Sequence, residues 1–189
     1  MTIEQTRSKI AEIVNQMHLT QGLGDARNAC SFAAVNLALS GELTDNCPDC
    51  ASDVLWNWGI ITQDAMPNDL RNSQRWKDLL PLVAGTGKAH EKERFKIILD
   101  HMWTVVLPYL QPLADEKGFG NEWRRMILER TPEAAREAVW AAAAGAKTAA
   151  RAAVWAEAAG ASEYENVWTA FDPCGLLKKL IAVSEGDAR

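Results

Sequence analysis

Apolar residues recur at helical spacing along almost the whole of this chain, and no segment sustains the apolar–polar alternation of a half-buried strand. That periodicity places the chain in the all-α class. Ile3, Ile10, Ile13, Val14 and Met17 mark a first helix. Thr2 and Gln5 precede most of them at the spacing of a capping box, in which each side chain satisfies an amide that the helix start leaves unpaired. Asp25 is placed to cap a second helix over ARNACSFAAVNLAL, and Gly41 to stop it. Ser52 caps a third helix carrying Val54, Leu55, Trp58, Ile61 and Met66, which ends before Pro67. Further helices are expected from about Ser73 to Leu82 and from about Ala89 to Leu107, the latter with Phe95, Ile98, Leu99, Met102 and Val106 on one side. The stretch GFGNEWRRM reads as a turn entering an amphipathic helix, with Arg124 and Arg125 facing solvent.

The last third of the chain changes composition. VWAAAAGA at 139–146 returns as VWAEAAGA at 154–161. Thr131 and Pro132 suit the cap and first position of a helix, and Ser162 with Glu165 forms another capping box, so one Ala-rich helix is expected over about 132–160, stopping at Gly160. It would be about 40 Å long at the usual helical rise, with Trp140 and Trp155 about 60° apart on a broad face. Alanine permits close approach of a neighbouring helix, and the indoles, with Trp168 beyond them, supply bulk for packing within the chain or between copies of a homo-oligomer. A short final helix starts at Asp172 and Pro173 and turns Leu176, Leu177, Leu180 and Ile181 inward. The expected organisation is a compact multi-helix core domain over 1–130 and an Ala-rich helical extension over 131–189, packed on the core or on a partner subunit.

At 189 residues, 48% apolar and 24% charged, the chain can bury a sizeable core. Its net charge of −5, with both signs interspersed, leaves no basic face for duplex nucleic acid. MTIEQTRSKIAEIVNQ lacks the apolar core of a secretory signal, and Lys147, Arg151 and Glu157 break the most apolar later stretch before it spans a bilayer. The expectation is a cytoplasmic protein without a membrane partner, whose four cysteines are free thiols.

GELTDNCPDCASDVL, residues 41–55, concentrates candidate chemistry. Cys47 and Cys50 have the spacing of half a structural zinc site, but neither a second such pair nor a histidine pair completes it, since His18, His90 and His101 are scattered. The alternating oxygen ligands and central glycine of a calcium loop are missing. No metal or cofactor is expected. Cys50 near a helix start has the setting of a lowered thiol pKa, although no base is identifiable beside it. The plainer reading is a helix connection in which Asp45 and Asp49 make turn hydrogen bonds.

CSFAAVNLALSGELTDNCPDCASDVL, continued by TQDAMPNDLRNSQRWKDLLPLVAGTGK, resembles a family of uncharacterised bacterial and phage proteins. Its pattern is a Cys, a helix ending in Gly, a TD turn, PDC and an LLPL.AGTG segment, and the likeness covers about residues 22–125. This chain has Cys47 where the family has an aliphatic residue, and Ala51 where a larger one is common. The resemblance brings no activity. It implies that Cys30, Asp45, Pro48, Cys50 and Ser52 share one folded corner.

AGTGKAHEKER, residues 84–94, has glycines and Lys88 before a helix, an arrangement that presents amides to an anion. It departs from a phosphate loop, because Leu82 stands at the first glycine position, Ala89 replaces the metal-binding hydroxyl and no strand precedes it. A simpler anion pocket would use Thr86, Lys88 and Arg94, and Asp45 and Cys50 are further candidate ligand-binding residues; the alternative is a helix connection with a solvated charge run.

These readings favour a non-enzymatic binding protein for a small anionic ligand, such as a nucleotide signal in phage–host conflict. Eight tryptophans are available to stack on bases or fill interface pockets. Two alternatives stand beside it: a protein–protein interaction or structural oligomer module, and a thiol-dependent enzyme using Cys30 or Cys50 with Asp45 and with His18 or His101 as base.

Overall fold

A computed structural model describes residues 2–25, 27–131, 133–138 and 162–184. The all-α expectation holds: the described residues are predominantly helical, and their β-structure is a two-residue parallel pairing of β1 (His18–Leu19) with β2 (Asn28–Ala29) and an isolated antiparallel bridge between Gly24 and Ala29. The chain divides into two compact units, the first made of Met1–Ile98 and Pro173–Arg189, the second of Leu99–Asp172. The boundary drawn from composition at 130/131 falls inside the second unit, and the final helix belongs to the first. Trp140, Trp155, Gly160 and all but 133–138 of the expected Ala-rich helix lie outside the described residues.

In the first unit, α1 (Ile3–Gln16) starts with the expected capping box of Thr2 and Gln5 and buries Ile10 and Val14. It packs on α2 (Ser31–Ser40), whose Phe32, Ala33, Ala34, Val35 and Ala38 are all buried. Asp25 does not cap α2. Its carboxylate accepts from the amides of Arg27 and Asn28 at 2.7 and 2.9 Å, closing a local turn instead, and Cys30 precedes the helix. Gly41 ends α2 at φ 82°, the left-handed stop expected of glycine.

Ser52 caps α3 (Asp53–Ala65), its hydroxyl accepting from the Leu55 amide at 3.1 Å. A Cβ on Gly59 would stand 2.0 Å from Phe32 Cζ, so the bare glycine lets the Phe32 ring lie against α3. There the ring meets Trp56 edge to face with centroids 4.8 Å apart, a favoured aromatic geometry. Arg71, at the end of α4 (Asn68–Arg71), closes the other end of α3: its guanidinium donates to the carbonyls of Gln63 and Met66 at 2.7 and 2.6 Å. A buried cation at a helix C-terminus completes carbonyls that the helix cannot satisfy itself.

The helix expected over 73–82 is two short ones, α5 (Gln74–Lys77) and α6 (Leu80–Val83). Pro81 lies in the first turn of α6, where a missing amide costs nothing; inside one continuous helix it would remove a hydrogen bond. The helix expected over 89–107 is likewise divided. It is α7 (Glu91–His101), then a π-helical turn (Met102–Val106), then α8 (Leu107–Tyr109). Pro108 cannot donate to the carbonyl four residues back, and the ladder shifts so that the Leu107 amide meets the Met102 carbonyl. Phe95 and Leu99 are exposed at 54% and 40%, and the fully buried side chain of α7 is Arg94.

The second unit continues with α9 (Gln111–Glu116), α10 (Gly120–Glu129), α11 (133–138) and α12 (Ser162–Phe171). Met126, Ala134 and Ala138 form its buried cluster, covered by Trp103, Leu107 and Trp123. Arg124 and Arg125 are exposed as expected, paired with Asp115 and with Glu129 and Glu137. Trp168, in α12, meets Phe171 edge to face at 5.6 Å. In the first unit α13 (Pro173–Ala182) packs on α3 and buries Leu176, Leu177, Leu180 and Ile181, the residues expected to face inward.

Candidate functional site

The loop before α3, the AGTG loop, the first turns of α7 and the end of α13 meet at one corner of the first unit. The stretch before it is held by Asn36 from α2, whose amide donates to the carbonyls of Thr44 and Asn46 at 2.6 and 2.8 Å. Trp56 Nε1 donates to the Asp45 carbonyl at 2.6 Å, so Asp45 enters this region through its backbone while its side chain is exposed.

The glycine amides have a partner within the chain. Gly85 and Gly87 donate to the carbonyl oxygen of Cys50 at 3.0 and 3.1 Å. Both have left-handed backbones, φ 90° and 57°, which glycine adopts without steric cost. Thr86 between them is buried, and its hydroxyl donates to Val83 O at 2.8 Å and accepts from the Ser52 amide at 3.0 Å. The AGTG segment thus braces the start of α3 and keeps little donor capacity for a bound anion.

An anion does sit at the N-terminus of α3, and it belongs to this chain. Glu91 accepts from the Ser52 hydroxyl at 2.8 Å and from the amides of Asp53 and Val54 at 2.9 and 3.1 Å. A carboxylate there satisfies first-turn amides and lies at the positive end of the helix dipole.

Arg94 is fully buried rather than presented to a ligand. Its guanidinium donates to the carbonyls of Thr86 at 2.9 Å, Gly87 at 3.1 Å and Leu180 at 3.1 Å, and to the Ser184 hydroxyl. Ser184 in turn donates to Thr86 O at 2.8 Å, tying the end of the C-terminal helix to the AGTG loop. Burial lowers the Arg94 pKa from its ordinary value, and nearby Glu91 and Glu93 partly offset this. Lys88 is the cation with access to solvent, and its ammonium lies 2.9 and 3.1 Å from the two carboxylate oxygens of Asp53.

Thr86, Lys88, Arg94 and Cys50 are therefore brought together, with Asp45 on the stretch leading in. Glu91, Ser184 and Asn36 complete the arrangement and were not singled out by their sequence context. Glu91 stands in the run HEKER, which has the composition of a solvated helix face, and its partners are 37 to 39 residues away.

The thiols divide by environment. Cys30 is 2% exposed and burial, its largest influence, pushes its pKa up. Cys47 is pushed up to about 12, first by burial and then by its hydrogen bond to Asp53. Both shifts reduce the thiolate that nucleophilic attack requires. Cys50 is exposed. His18 is an exposed residue of β1, and His101 lies in the second unit with its ring nitrogen 2.7 Å from the Phe171 carbonyl. Among the described residues no group of three or more His, Cys, Asp or Glu is placed to hold a metal, and no helix is long and apolar enough to cross a membrane. Compared with known proteins, the chain matches no family model, no curated protein and no solved structure.

Proposed function

We propose that this chain is a non-enzymatic binding protein whose ligand is a short apolar segment of another protein. The observation that carries this reading is a groove of about 520 Å³ in the second unit, lined by Pro108, Tyr109, Leu110, Pro112, Leu113 and Val167. Tyr109 and Leu113 are 40% and 46% exposed there. A mainly apolar concavity with a tyrosine in its wall offers burial energy together with a polar tip for orientation, which suits a peptide segment.

The same surface does not suit a small anion, because among the described residues its lining contains no cation and does contain Glu116. At the AGTG corner, the amides, hydroxyl and guanidinium that would serve an anion already donate to Cys50, Val83, Thr86, Gly87, Leu180 and Ser184, and Lys88 is paired with Asp53. This is why the protein-binding alternative is preferred to the nucleotide-type ligand that the glycines and Lys88 invite from sequence.

Selection of a displayed random-peptide library on the immobilised protein tests the reading. Wild-type protein should enrich apolar peptides, and Leu113→Glu should abolish that enrichment while Lys88→Glu leaves it unchanged. Failure to enrich any peptide, or enrichment that Leu113→Glu retains, would overturn the groove as the binding surface. A nucleotide found by native mass spectrometry on freshly purified protein, and lost in Lys88→Glu, would return the function to small-anion binding.

A further inference from the structure

Cys47 and Cys50 lie on a tight reversal at the surface of the first unit, and neither belongs to its buried core. Cys30 and Cys174 are buried at 2% and 1% exposure, whereas Cys47 is half-buried and Cys50 exposed. Between Cys47 and Cys50 the chain enters a turn closed by the Ala51 amide donating to Pro48 O at 3.0 Å. The Cys47 sulfur is folded over this turn, 3.6 Å from the Pro48 carbonyl oxygen and 3.7 Å from that of Ala51, the residue that follows Cys50. The Cys50 backbone is fixed meanwhile by the amides of Gly85 and Gly87 on its carbonyl. One thiol thus reaches across the turn that carries the other, on a backbone anchored from outside the loop.

We propose that Cys47 and Cys50 form an oxidant-sensitive thiol pair that closes reversibly to a disulfide across the Pro48–Asp49 turn. The oxidant is a low-molecular-weight disulfide, RSSR. Cys50, as thiolate after losing its proton to solvent, attacks one sulfur of RSSR, forming the Cys50–SR bond and releasing RS⁻. The Cys47 sulfur then attacks the Cys50 sulfur as its proton leaves, forming the intramolecular disulfide and releasing the second RS⁻. The two protein thiols lose two electrons and two protons, and RSSR gains them as two RSH. Exposure makes Cys50 the first sulfur to react. Cys47, half-buried and hydrogen-bonded to the Asp53 carboxylate, is a poor partner for a free oxidant. It resolves the mixed disulfide because that step is intramolecular, and the proximity of the two sulfurs on one turn offsets the raised pKa of its thiol.

The test treats the full chain with oxidised glutathione, quenches in acid, alkylates remaining thiols and maps a non-reduced digest by mass spectrometry. Wild-type protein should yield a Cys47–Cys50 linkage that dithiothreitol reverses, with Cys30 and Cys174 alkylated only after unfolding. Cys47→Ser should halt at glutathione on Cys50, with that adduct roughly tenfold or more above its wild-type level because the intramolecular step is lost. Cys50→Ser should acquire little glutathione at Cys47. Circular dichroism on each variant confirms that the helices are retained, and Cys47→Ala serves if serine disturbs the turn. A glutathione adduct on Cys50 that persists equally in wild type and Cys47→Ser would overturn the proposal. So would oxidation that links only separate chains.

Discussion

Glu91 completes the cap that Ser52 begins: the Ser52 hydroxyl accepts from the Leu55 amide and donates to the Glu91 carboxylate, which itself accepts from the amides of Asp53 and Val54. Three first-turn amides and one hydroxyl of α3 are satisfied by two side chains from distant parts of the chain. The positive end of α3 is therefore already neutralised in the folded protein.

Replacing Glu91 by Ala should destabilise the protein by about 1–3 kcal/mol, since hydrogen bonds to a charged group are lost at a partly buried position. Glu91→Gln should cost less, because it keeps an acceptor and loses only the charge. Urea unfolding followed by circular dichroism measures both, and equal stability of Glu91→Ala and wild type would contradict the capping role.

Arg94→Met should cost about 3 kcal/mol or more, because the carbonyls of Thr86, Gly87 and Leu180 lose a shared buried donor. Arg94→Lys should recover little of this, as one ammonium cannot reproduce the planar fork of the guanidinium. Limited proteolysis adds a local reading: cleavage near Ser184 should quicken in both variants before the rest of the first unit is attacked.

Gly59→Ala should destabilise by roughly 1–3 kcal/mol, the range for forcing extra volume into a packed core, because its methyl group would meet the Phe32 ring. Shortening the opposing residue should relieve the clash. In a double-mutant cycle, Gly59→Ala with Phe32→Leu should cost less than the sum of the single changes; simple additivity would place the steric contact elsewhere.

Asp53 holds a pKa below the ordinary carboxylate value, first through its hydrogen bond from Lys88 and then through that from the Cys47 thiol. A carboxyl whose folded pKa is depressed contributes stability that is present above its unfolded pKa and is lost as pH falls through the lower folded value. Asp53→Asn should therefore narrow the stability difference between neutral and acidic solution. Thermal melts taken from pH 7 down through the acid range read this directly. An unchanged acid dependence would show that the Lys88 contact contributes nothing in solution.

Much of the fold was legible because helix ends are local events. Thr2 with Gln5, Ser52 with Leu55 and the left-handed Gly41 each act within four residues, so residue type and spacing sufficed to place them. The expected inward face of α13 also held, since a repeated apolar period on a short helix leaves one way to bury it. Pro81 and Pro108 were visible as well, but whether each would bend, split or shift its helix depended on the packing of the segments around it.

The sequence by itself determined the helical class and several helix boundaries, because both follow from interactions between neighbours along the chain. Only the tertiary structure decided what the chemically suggestive residues do. Glycine amides and a helix N-terminus present the same donors whether their acceptor is a phosphate, a carbonyl or a carboxylate, and here the acceptors are Cys50 O and Glu91. Arg94 lies in a charged run that reads as a solvated face, yet its partner Leu180 is 86 residues away. Burial of a cation becomes tolerable only where distant segments converge enough carbonyl oxygens on it, and local sequence does not encode that convergence.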